Sequence, residues 1–284
     1  MNGELPKGLN DIFANMYKGT FSLHSFEDAA KIEKEDRACA KHGTCEHTIY
    51  IFDDGYKEVE CTKCRKEIEE EEEAKLKEQM EKEAIKRREN FIEYCKSCNI
   101  EPEYYDLDFE NYEPKTKSQE RAFEYTKKVV SEKHGKLILL GEHGLGKTML
   151  ASIAAKKLGG KVYSMYEIST MIRQSYTVNA TRTELEIVNE LASIPFLAID
   201  ELGRTKGGET EHNWLSYILD KRHVRKLPFM LLSNGHFKKD CKDKGCPKCF
   251  ENFMDSDVLS RLRQDSAFVS IDGPDRRDRR NFGE

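Results

Sequence analysis

A glycine-rich loop that follows an apolar run is the feature that most restricts the fold of this chain. The segment "ILLGEHGLGKTMLA", from Ile138 to Ala151, fits G-x-x-x-x-G-K-[ST], with a predicted strand before it and a predicted helix after it. In such a loop backbone N–H groups surround phosphate oxygens, the lysine neutralises phosphate charge, and the final hydroxyl holds Mg²⁺. The alternative is a glycine-rich turn that binds nothing. The ATP contacts predicted in this loop are Gly141, Gly144, Leu145, Gly146, Lys147, Thr148 and Met149.

Polar side chains end two further apolar runs. The run "FLAIDELG" ends in Asp200 and Glu201, and "FMLLSN" ends in Asn234. Ligands collect at the carboxyl ends of strands in open α/β sheets, so Asp200 is predicted to reach Mg²⁺ and Glu201 to activate the attacking water. Asn234 is predicted to orient that water, and the alternative for Asp200 and Glu201 is an acidic pair that only caps a strand. The three strand ends together favour ATP hydrolysis over binding alone.

Short β-rich runs alternate with helical ones from about residue 112 to the end. The predicted strands are "KLILLG", "KVYSM", "FLAID", "FMLLSN" and "AFVSID". Strands that alternate with helices imply right-handed β-α-β crossovers. The predicted fold class is therefore α/β, with a mostly parallel sheet flanked by helices.

The N-terminal third has a different organisation. Residues 1–38 are predicted to be a helical docking segment, and residues 39–66 a small metal-binding module with strand-like "HTIYIF" and a turn at "DDGY". Residues 67–102 are rich in strong helix formers, with Glu early and Lys and Arg later. They predict a long, solvated connector helix.

Two closely spaced ligand pairs carry the metal prediction. Cys39-x-x-His42 and Cys61-x-x-Cys64 supply the four thiolate and imidazole ligands that tetrahedral zinc prefers, in a segment too small to fold on an apolar core. Cys45 and His47 lie close enough in sequence to replace the first pair. The alternative is a set of reduced cysteines that pack as small hydrophobic residues.

The sequence leaves the role of the other cysteines open. A second group after Asn234 either forms a zinc knuckle or consists of exposed cysteines without a function. Cys95 and Cys98 make only half a site, and packing is the preferred explanation. The members of the second group are His236, Cys241, Cys246 and Cys249.

Composition limits the partners. The 284 residues carry a net charge of −5, so a nucleic acid can be held only by local basic patches. Aromatic residues for base stacking are Trp214, Tyr217 and Tyr176, although aromatics on helices more often pack in a core. Since no apolar run spans a bilayer and the start does not read as a signal peptide, we expect a cytoplasmic protein without a membrane partner. The basic patches are Lys221, Arg222, His223, Arg225 and Lys226, and Arg276, Arg277, Arg279 and Arg280.

The order of these motifs resembles a known family. "GEHGLGKT", "FLAIDELG", "LLSN", "LSRLRQ" and a terminal "DRR" look like the AAA+ ATPases of the DnaC and DnaI helicase-loader type, with IstB-like proteins close by. The resemblance covers roughly residues 103–277 and implies an AAA+ domain at 103–284. It also implies Walker A at Lys147 and Thr148, Walker B at Asp200 and Glu201, and sensor 1 at Asn234.

The resemblance adds two arginines. Arg261 becomes the candidate arginine finger for nucleotide held by a neighbouring subunit, and Arg276 becomes the sensor 2 candidate, with Arg277 as its alternative. Two departures affect these assignments, because Asp257 stands where some loaders have another arginine and "GPD" replaces an expected aromatic. The alternative for Arg261 and Arg263 is a surface ion pair.

The function that this resemblance implies is ATP-dependent helicase loading in DNA replication. The zinc module would bind a DnaB-type replicative helicase, and the AAA+ domain would bind ATP, Mg²⁺ and single-stranded DNA. The chain would self-associate through a shared ATP site, and hydrolysis would release the complex. The alternatives are an IstB-like transposition helper and a nucleotide-regulated zinc adaptor without turnover.

Overall fold

The computed structural model describes residues 29–203, 209–243, 246, 248–254 and 256–276. The chain divides into a smaller N-terminal unit and a larger unit, with the boundary between Arg87 and Arg88. Most of the predicted docking segment at residues 1–38 lies outside the described residues. Among the helices of the described ranges, none has both the length and the apolar character needed to cross a membrane.

The N-terminal unit contains an antiparallel sheet of three strands in the order β1-β2-β3. The strand "HTIYIF" and the turn "DDGY" are confirmed, because this segment forms β2 and the turn into β3. In that turn Asp54 accepts a hydrogen bond from the backbone of Tyr56, 2.9 Å away, and Gly55 has a φ of 84°. The strands are β1 (Lys31–Cys39), β2 (Gly43–Ile51) and β3 (Lys57–Cys61).

Residues 31–37 lie in a strand, where the sequence predicts a small helix. Strong helix formers fill "KIEKEDR", but β1 pairs with β2 in unbroken register from Lys31 opposite Ile51 to Cys39 opposite Gly43. Cross-strand pairing therefore overrides local propensity in this segment. The sheet extends to the N-terminal side of the predicted module boundary at residue 39.

A long, solvated helix leads out of this sheet. α1 (Thr62–Ser97) starts five residues before the predicted connector and ends five residues before its predicted end. Its exposed face carries i,i+4 ion pairs such as Glu78 with Lys82 and Glu83 with Arg87. Each such pair contributes about 0.3–0.5 kcal/mol, so these pairs add only modest stability to a helix that buries little.

The larger unit confirms the predicted α/β fold class. All five predicted strands form one sheet in the order β5-β6-β7-β4-β8, and every neighbouring pair is parallel. The helices precede and connect the strands. In chain order the elements are α2 (Lys117–Glu132), β4 (Lys136–Leu140), α3 (Lys147–Leu158), β5 (Lys161–Ser164), α4 (Met165–Gln174), α5 (Glu184–Leu191), β6 (Leu197–Asp200), α6 (Glu209–Val224), β7 (Phe229–Ser233), α7 (Ser256–Asp265) and β8 (Ser266–Ser270).

Apolar layers cover both faces of this sheet. Ile138 and Leu140 of β4 join a cluster with residues of α4, α5, α6 and α7. Leu137 and Leu139 face the other way, into a cluster with residues of α2 and α3. Because side chains alternate along a strand, a parallel strand buried on both faces consists of consecutive apolar residues. This arrangement leaves the carboxyl ends of the strands as the edge where polar groups gather.

Candidate active site and metal centres

The phosphate loop joins β4 to α3 and surrounds the amine of Lys147. Lys147 is 5% exposed, and its Nζ donates to the carbonyl oxygens of Gly141 and Glu142, both 2.7 Å away. Gly146 precedes the helix with a φ of 85°, a backbone conformation that L side chains rarely adopt. A positive side chain and the N-terminus of α3 thus converge in one loop, which is an arrangement suited to phosphate.

Polar strand ends meet this loop because β6 and β4 both neighbour β7 in the sheet. The hydroxyl of Thr148 donates to Asp200 Oδ2 at 2.6 Å, and Lys147 Nζ donates to Asn234 Oδ1 at 3.1 Å. Glu201 follows with a φ of 56°, and its backbone N–H donates to Asp200 Oδ1 at 2.6 Å. A hydroxyl beside a carboxylate is a ligand pair that suits Mg²⁺. The sequence analysis predicted this juxtaposition, and the structure brings the groups together.

All the predicted ATP contacts except Gly141 line one cavity. It has a volume of about 190 Å³ and adjoins a larger cavity of about 530 Å³, which also reaches Glu201 and Asn234. Gly141 contributes through its carbonyl group, which contacts the amine of Lys147. The smaller cavity is lined by Tyr104, His143, Gly144, Leu145, Gly146, Lys147, Thr148, Met149, Asp200, Glu201, Asn234 and Arg276.

Arg276 closes one side of the smaller cavity. Its backbone N–H donates to the carbonyl of Gly144 at 2.8 Å, and its guanidinium carbon lies 4.2 Å from the ring centroid of Tyr112. Nη1 donates to Gln119 Oε1 at 3.2 Å and to the carbonyl of Glu113 at 3.0 Å. Tyr112 is buried, and this burial raises the pKa of its phenol. The sequence analysis missed Tyr112 and Gln119 as site residues, although both lie in "NYEPKTKSQ" before the loop.

Arg261 lies on α7, away from these groups. Its guanidinium forms an ion pair with Asp220 on α6, which raises the pKa of Arg261. Among the described residues that line the two cavities, Arg261 does not occur. Arg263 lines a separate cavity of about 240 Å³ beside Phe268. Arg261 therefore forms the surface ion pair that the sequence analysis considered as its alternative role. Its role as an arginine finger stays a prediction.

The predicted zinc ligands of the N-terminal unit come together. Cys39 Sγ lies 3.6 Å from Cys64 Sγ, and His42 Nδ1 lies 3.7, 3.7 and 3.3 Å from the sulfurs of Cys39, Cys61 and Cys64. With Zn–S near 2.3 Å and Zn–N near 2.0–2.1 Å, a tetrahedral ion separates its ligands by about 3.8 Å for two sulfurs and about 3.6 Å for sulfur and nitrogen. The distances therefore fit a zinc ion.

The imidazole of His42 also has the outer partner that a zinc ligand needs. Its Nε2 lies 2.9 Å from a carboxylate oxygen of Glu67 at the start of α1. Such a carboxylate fixes the tautomer and orientation of a metal-bound histidine. The alternates Cys45 and His47 form a second group with Cys61 that offers only three ligand atoms, whereas Cys39, His42, Cys61 and Cys64 offer the four that tetrahedral zinc prefers. The number of ligands favours the original four residues, and Glu67 is an outer partner of His42 that the sequence analysis missed.

The remaining cysteines separate into two classes. Cys95 and Cys98 are buried in the apolar layer between α1 and α3, as expected for packing residues. His236, Cys241, Cys246 and Cys249 instead converge, with their potential ligand atoms all within 4.8 Å of one another.

The prediction of Arg222 as a nucleic-acid contact is wrong. Its side chain is fully buried, and the guanidinium donates to the carbonyls of Leu191, Ile194 and Pro228 at 2.9, 2.7 and 2.6 Å. Burial lowers the pKa of Arg222. Trp214 is likewise 3% exposed and packs in the core, so it is not available for stacking.

Other members of the basic patches remain at the surface. Lys221, Arg225 and Lys226 are exposed, and His223 Nδ1 lies 2.7 Å from the amine of Lys136. Tyr176 is exposed, and Tyr217 is partly buried with Lys221 above its ring at 5.2 Å. The predicted contacts Arg277, Arg279 and Arg280 lie outside the described residues.

Comparison with known proteins gives the family of this chain. Residues 65–282 match a family described as IstB-like ATP binding protein. The replicative helicase loader DnaC of Escherichia coli K12 is 26% identical over 170 residues, which cover 56% of this chain and 69% of that protein. A crystal structure of the DnaC helicase loader superposes with a TM-score of 0.49 and 18% identity, covering 61% of this chain and 100% of that chain. A crystal structure of DnaI superposes with a TM-score of 0.48 and 21% identity, covering 63% of this chain and 94% of that chain. Because the family match spans well over half of its length, this chain belongs to the IstB-like ATP-binding proteins, the AAA+ branch that its motifs resemble.

Proposed function

We propose that this protein is an ATP-dependent helicase loader of DNA replication. The observation that carries the proposal is the cavity in which Lys147, Thr148, Asp200 and Asn234 are joined by hydrogen bonds at three neighbouring strand ends. Relatives named replicative helicase loader DnaC match 56% of this chain, which supports the choice of replication among the functions of AAA+ proteins. The fold alone would not select it.

The phosphate loop binds the triphosphate of ATP. Lys147 exchanges the carbonyls of Gly141 and Glu142 for phosphate oxygens, which as charged acceptors make stronger hydrogen bonds. Thr148 and Asp200 would hold Mg²⁺, which neutralises phosphate charge when bound. Arg276 stands at the other side of the same cavity and contacts the nucleotide from within the chain.

Hydrolysis requires a base and an oriented water molecule. Glu201 lies at the meeting point of the two cavities and takes the proton of the attacking water. Asn234 shares a hydrogen bond with Lys147 and orients the water beside the γ-phosphate. Arg261 of a neighbouring copy completes the site, so that turnover depends on assembly.

The two units have separate partners. The zinc module, residues 39–66 together with the rest of β1, binds a DnaB-type helicase. The ATPase domain, residues 103–284, holds single-stranded DNA through Lys221, Arg225 and Lys226, whose exposed charges suit a phosphate backbone. ATP binding maintains the complex of loader, helicase and DNA, and hydrolysis releases it.

Assembly with a DnaB-type helicase tests this proposal. The full chain is mixed with the helicase in ATP, in ADP and without nucleotide, and complexes are measured by size-exclusion chromatography with light scattering. We expect a complex with ATP that persists with Glu201→Gln and disperses for the unsubstituted chain as ATP is consumed. Glu120→Gln is a matched control, since Glu120 is exposed on α2. Absence of a helicase complex in every nucleotide state would refute the helicase role while leaving ATP turnover measurable.

The family match favours one second candidate, an IstB-like transposition helper. That function predicts stimulation of a transposase and target-DNA remodelling without helicase binding. The zinc-ligand geometry of the N-terminal unit favours the loader, because it provides a separate module for a second protein. A nucleotide-regulated adaptor without turnover differs from both, since ATP would bind but phosphate release would not exceed that of Glu201→Gln.

A further inference from the structure

We propose that the larger unit contains a second structural zinc site, formed by His236, Cys241, Cys246 and Cys249. These residues lie between β7 and α7, and the two units hold separate ligand groups. His236 Nε2 lies 3.5 Å from Cys246 Sγ and 3.6 Å from Cys249 Sγ. A tetrahedral zinc ion would separate a nitrogen and a sulfur ligand by about 3.6 Å. The ligand distances thus match zinc as closely as those of the N-terminal group do.

The backbone holds two of the ligands in a fixed relation. His236 and Cys249 form an isolated parallel bridge, in which the His236 N–H donates to the carbonyl of Lys248 at 3.1 Å. The Phe250 N–H donates back to the carbonyl of His236 at 2.9 Å. A flexible surface loop would leave these residues independent of each other. The pairing indicates a built site.

Aromatic packing anchors the same segment to the sheet. Phe237 and Phe250, each adjacent to a ligand, are buried, and their ring centroids lie 6.5 Å apart. Both also contact Phe268 of β8, at centroid distances of 5.7 and 6.4 Å. Packing of this kind orients the ligand side chains before a metal binds.

Three thiols and an imidazole favour a metal over a disulfide. All three cysteines are free, and a disulfide would use two of them and leave the third beside the histidine without a role. Zinc is the metal that most commonly binds three cysteines and one histidine in a structural site. Oxygen-binding metals such as Mg²⁺ do not suit this ligand set.

The site stands next to the wall of the nucleotide cavity. Asn234 is two residues before His236, and the intervening Gly235 packs so closely that an added Cβ would lie 2.3 Å from the carbonyl oxygen of Lys248. Asn234, Gly235 and Lys248 all line the larger cavity. Zinc would therefore fix the backbone that carries the sensor amide, a consequence that rests on the proposed ATPase function, whereas the metal site itself does not.

Zinc counting on the full chain tests the site. We expect two zinc ions per chain by elemental analysis, one after Cys241→Ser with Cys246→Ser, one after Cys39→Ser with Cys64→Ser, and none when all four are replaced. Cys98→Ala is the matched control and should retain two, because Cys98 is a packing residue. A single zinc ion in the unsubstituted chain, lost with Cys39→Ser and Cys64→Ser, would overturn the proposal, and so would two ions that persist after Cys241→Ser with Cys246→Ser.

Cobalt substitution covers the case in which a variant does not fold. In the unsubstituted chain Co²⁺ should reach two tetrahedral sites with sulfur ligands, and the charge-transfer absorbance per chain should be twice that of one such site. Absorbance equal to one site would contradict the proposal. A separate titration with a fluorescent ATP analogue should show several-fold weaker binding for Cys241→Ser with Cys246→Ser. Unchanged binding would remove the link to Asn234, whereas absent binding to the unsubstituted chain would refute the proposed ATP site and leave the zinc count valid.

Discussion

The two units of this chain use polar side chains in opposite ways. In the N-terminal unit the buried residues of the sheet include Cys45, His47 and Cys61 beside Ile49 and Tyr50. In the larger unit the central strands bury consecutive apolar residues, and the polar groups of the nucleotide site stand at the strand ends. We expect a small sheet with so little apolar area to depend on the proposed metal for its fold, whereas a large core does not. Replacing a polar site residue should therefore unfold the first unit and only inactivate the second.

Removal of zinc from the N-terminal unit should produce the largest effect. Structural zinc contributes about 10–16 kcal/mol to the folding of zinc-finger peptides, more than a sheet of this size can replace. Cys61→Ser, which removes a central ligand, should abolish hydrogen-exchange protection of amides in β2, while those in β4 and β7 keep theirs. Cys98→Ala should leave both regions protected. Protected β2 amides in a zinc-free N-terminal unit would mean that its apolar contacts suffice.

Lys147→Ala should separate function from fold in the larger unit. The amine contacts three acceptors and is the positive charge at the centre of the loop, so its loss should weaken ATP binding by about 100-fold or more, or about 2.7 kcal/mol. Calorimetric titration measures the affinity, and a thermal melt should show little change. Lys128→Ala, on the exposed side of α2, should bind ATP normally. A collapse of the melting transition would show that the loop is part of the core.

Glu201→Gln should leave ATP binding intact and remove turnover. A positioned general base contributes about 10²- to 10⁴-fold, so we expect steady-state phosphate release to fall by at least about 100-fold. Phosphate release and nucleotide binding are measured on the same preparation, with Glu120→Gln as the control for loss of one carboxylate. Retained turnover would identify another base and would weaken the assignment of this strand end.

The sequence predicted the features that depend on local patterns and missed those that depend on contacts between distant segments. The phosphate loop and the strands before Asp200 and Asn234 are local patterns, because an apolar run and the polar residue that ends it are adjacent in sequence. β1 was missed because "KIEKEDR" favours a helix locally and becomes a strand only through pairing with β2. The contact between Arg276 and Tyr112 joins distant segments, so no local pattern indicated it.

Arg222 was wrongly predicted to lie at the surface for a different reason, because helical spacing in the sequence indicates its burial. The basic run "KRHVRK" suggests a charged surface. On α6, however, Leu215, Ile218 and Arg222 follow one another at intervals of three and four residues, which places them on one buried face. Residues that flank Arg222, such as Lys221, point outward. The charge of this run, considered without its helical periodicity, therefore predicted the wrong location for Arg222.

A mixing experiment sharpens the comparison at Arg261, because the role proposed for this arginine requires a second copy of the chain. If Arg261 acts as an arginine finger, Arg261→Ala alone should reduce turnover by up to about 10³-fold with ATP binding retained. Mixed with Lys147→Ala, which keeps Arg261 but binds no ATP, it should regain activity, because one chain supplies the nucleotide and the other the arginine. Arg263→Ala is the matched control on α7. Failure of the mixture to exceed either variant would assign Arg261 to its ion pair with Asp220.

The smallest effect is expected at the exposed basic patch of Lys221, Arg225 and Lys226, where substitutions should change neither the fold nor the turnover of ATP. Lys221→Gln with Lys226→Gln should weaken binding of single-stranded DNA by roughly threefold to tenfold. It should also lower the slope of log affinity against log salt by up to about 1.4, since each phosphate contact contributes about 0.7 for single strands. Filter binding over a salt series, with ATP present, measures both quantities. Lys127→Gln with Lys128→Gln removes the same charge from α2 and should change neither. Equal losses for the two pairs would mean that the DNA responds to the net charge of the domain, because only a localised contact distinguishes Lys221 and Lys226 from the control pair.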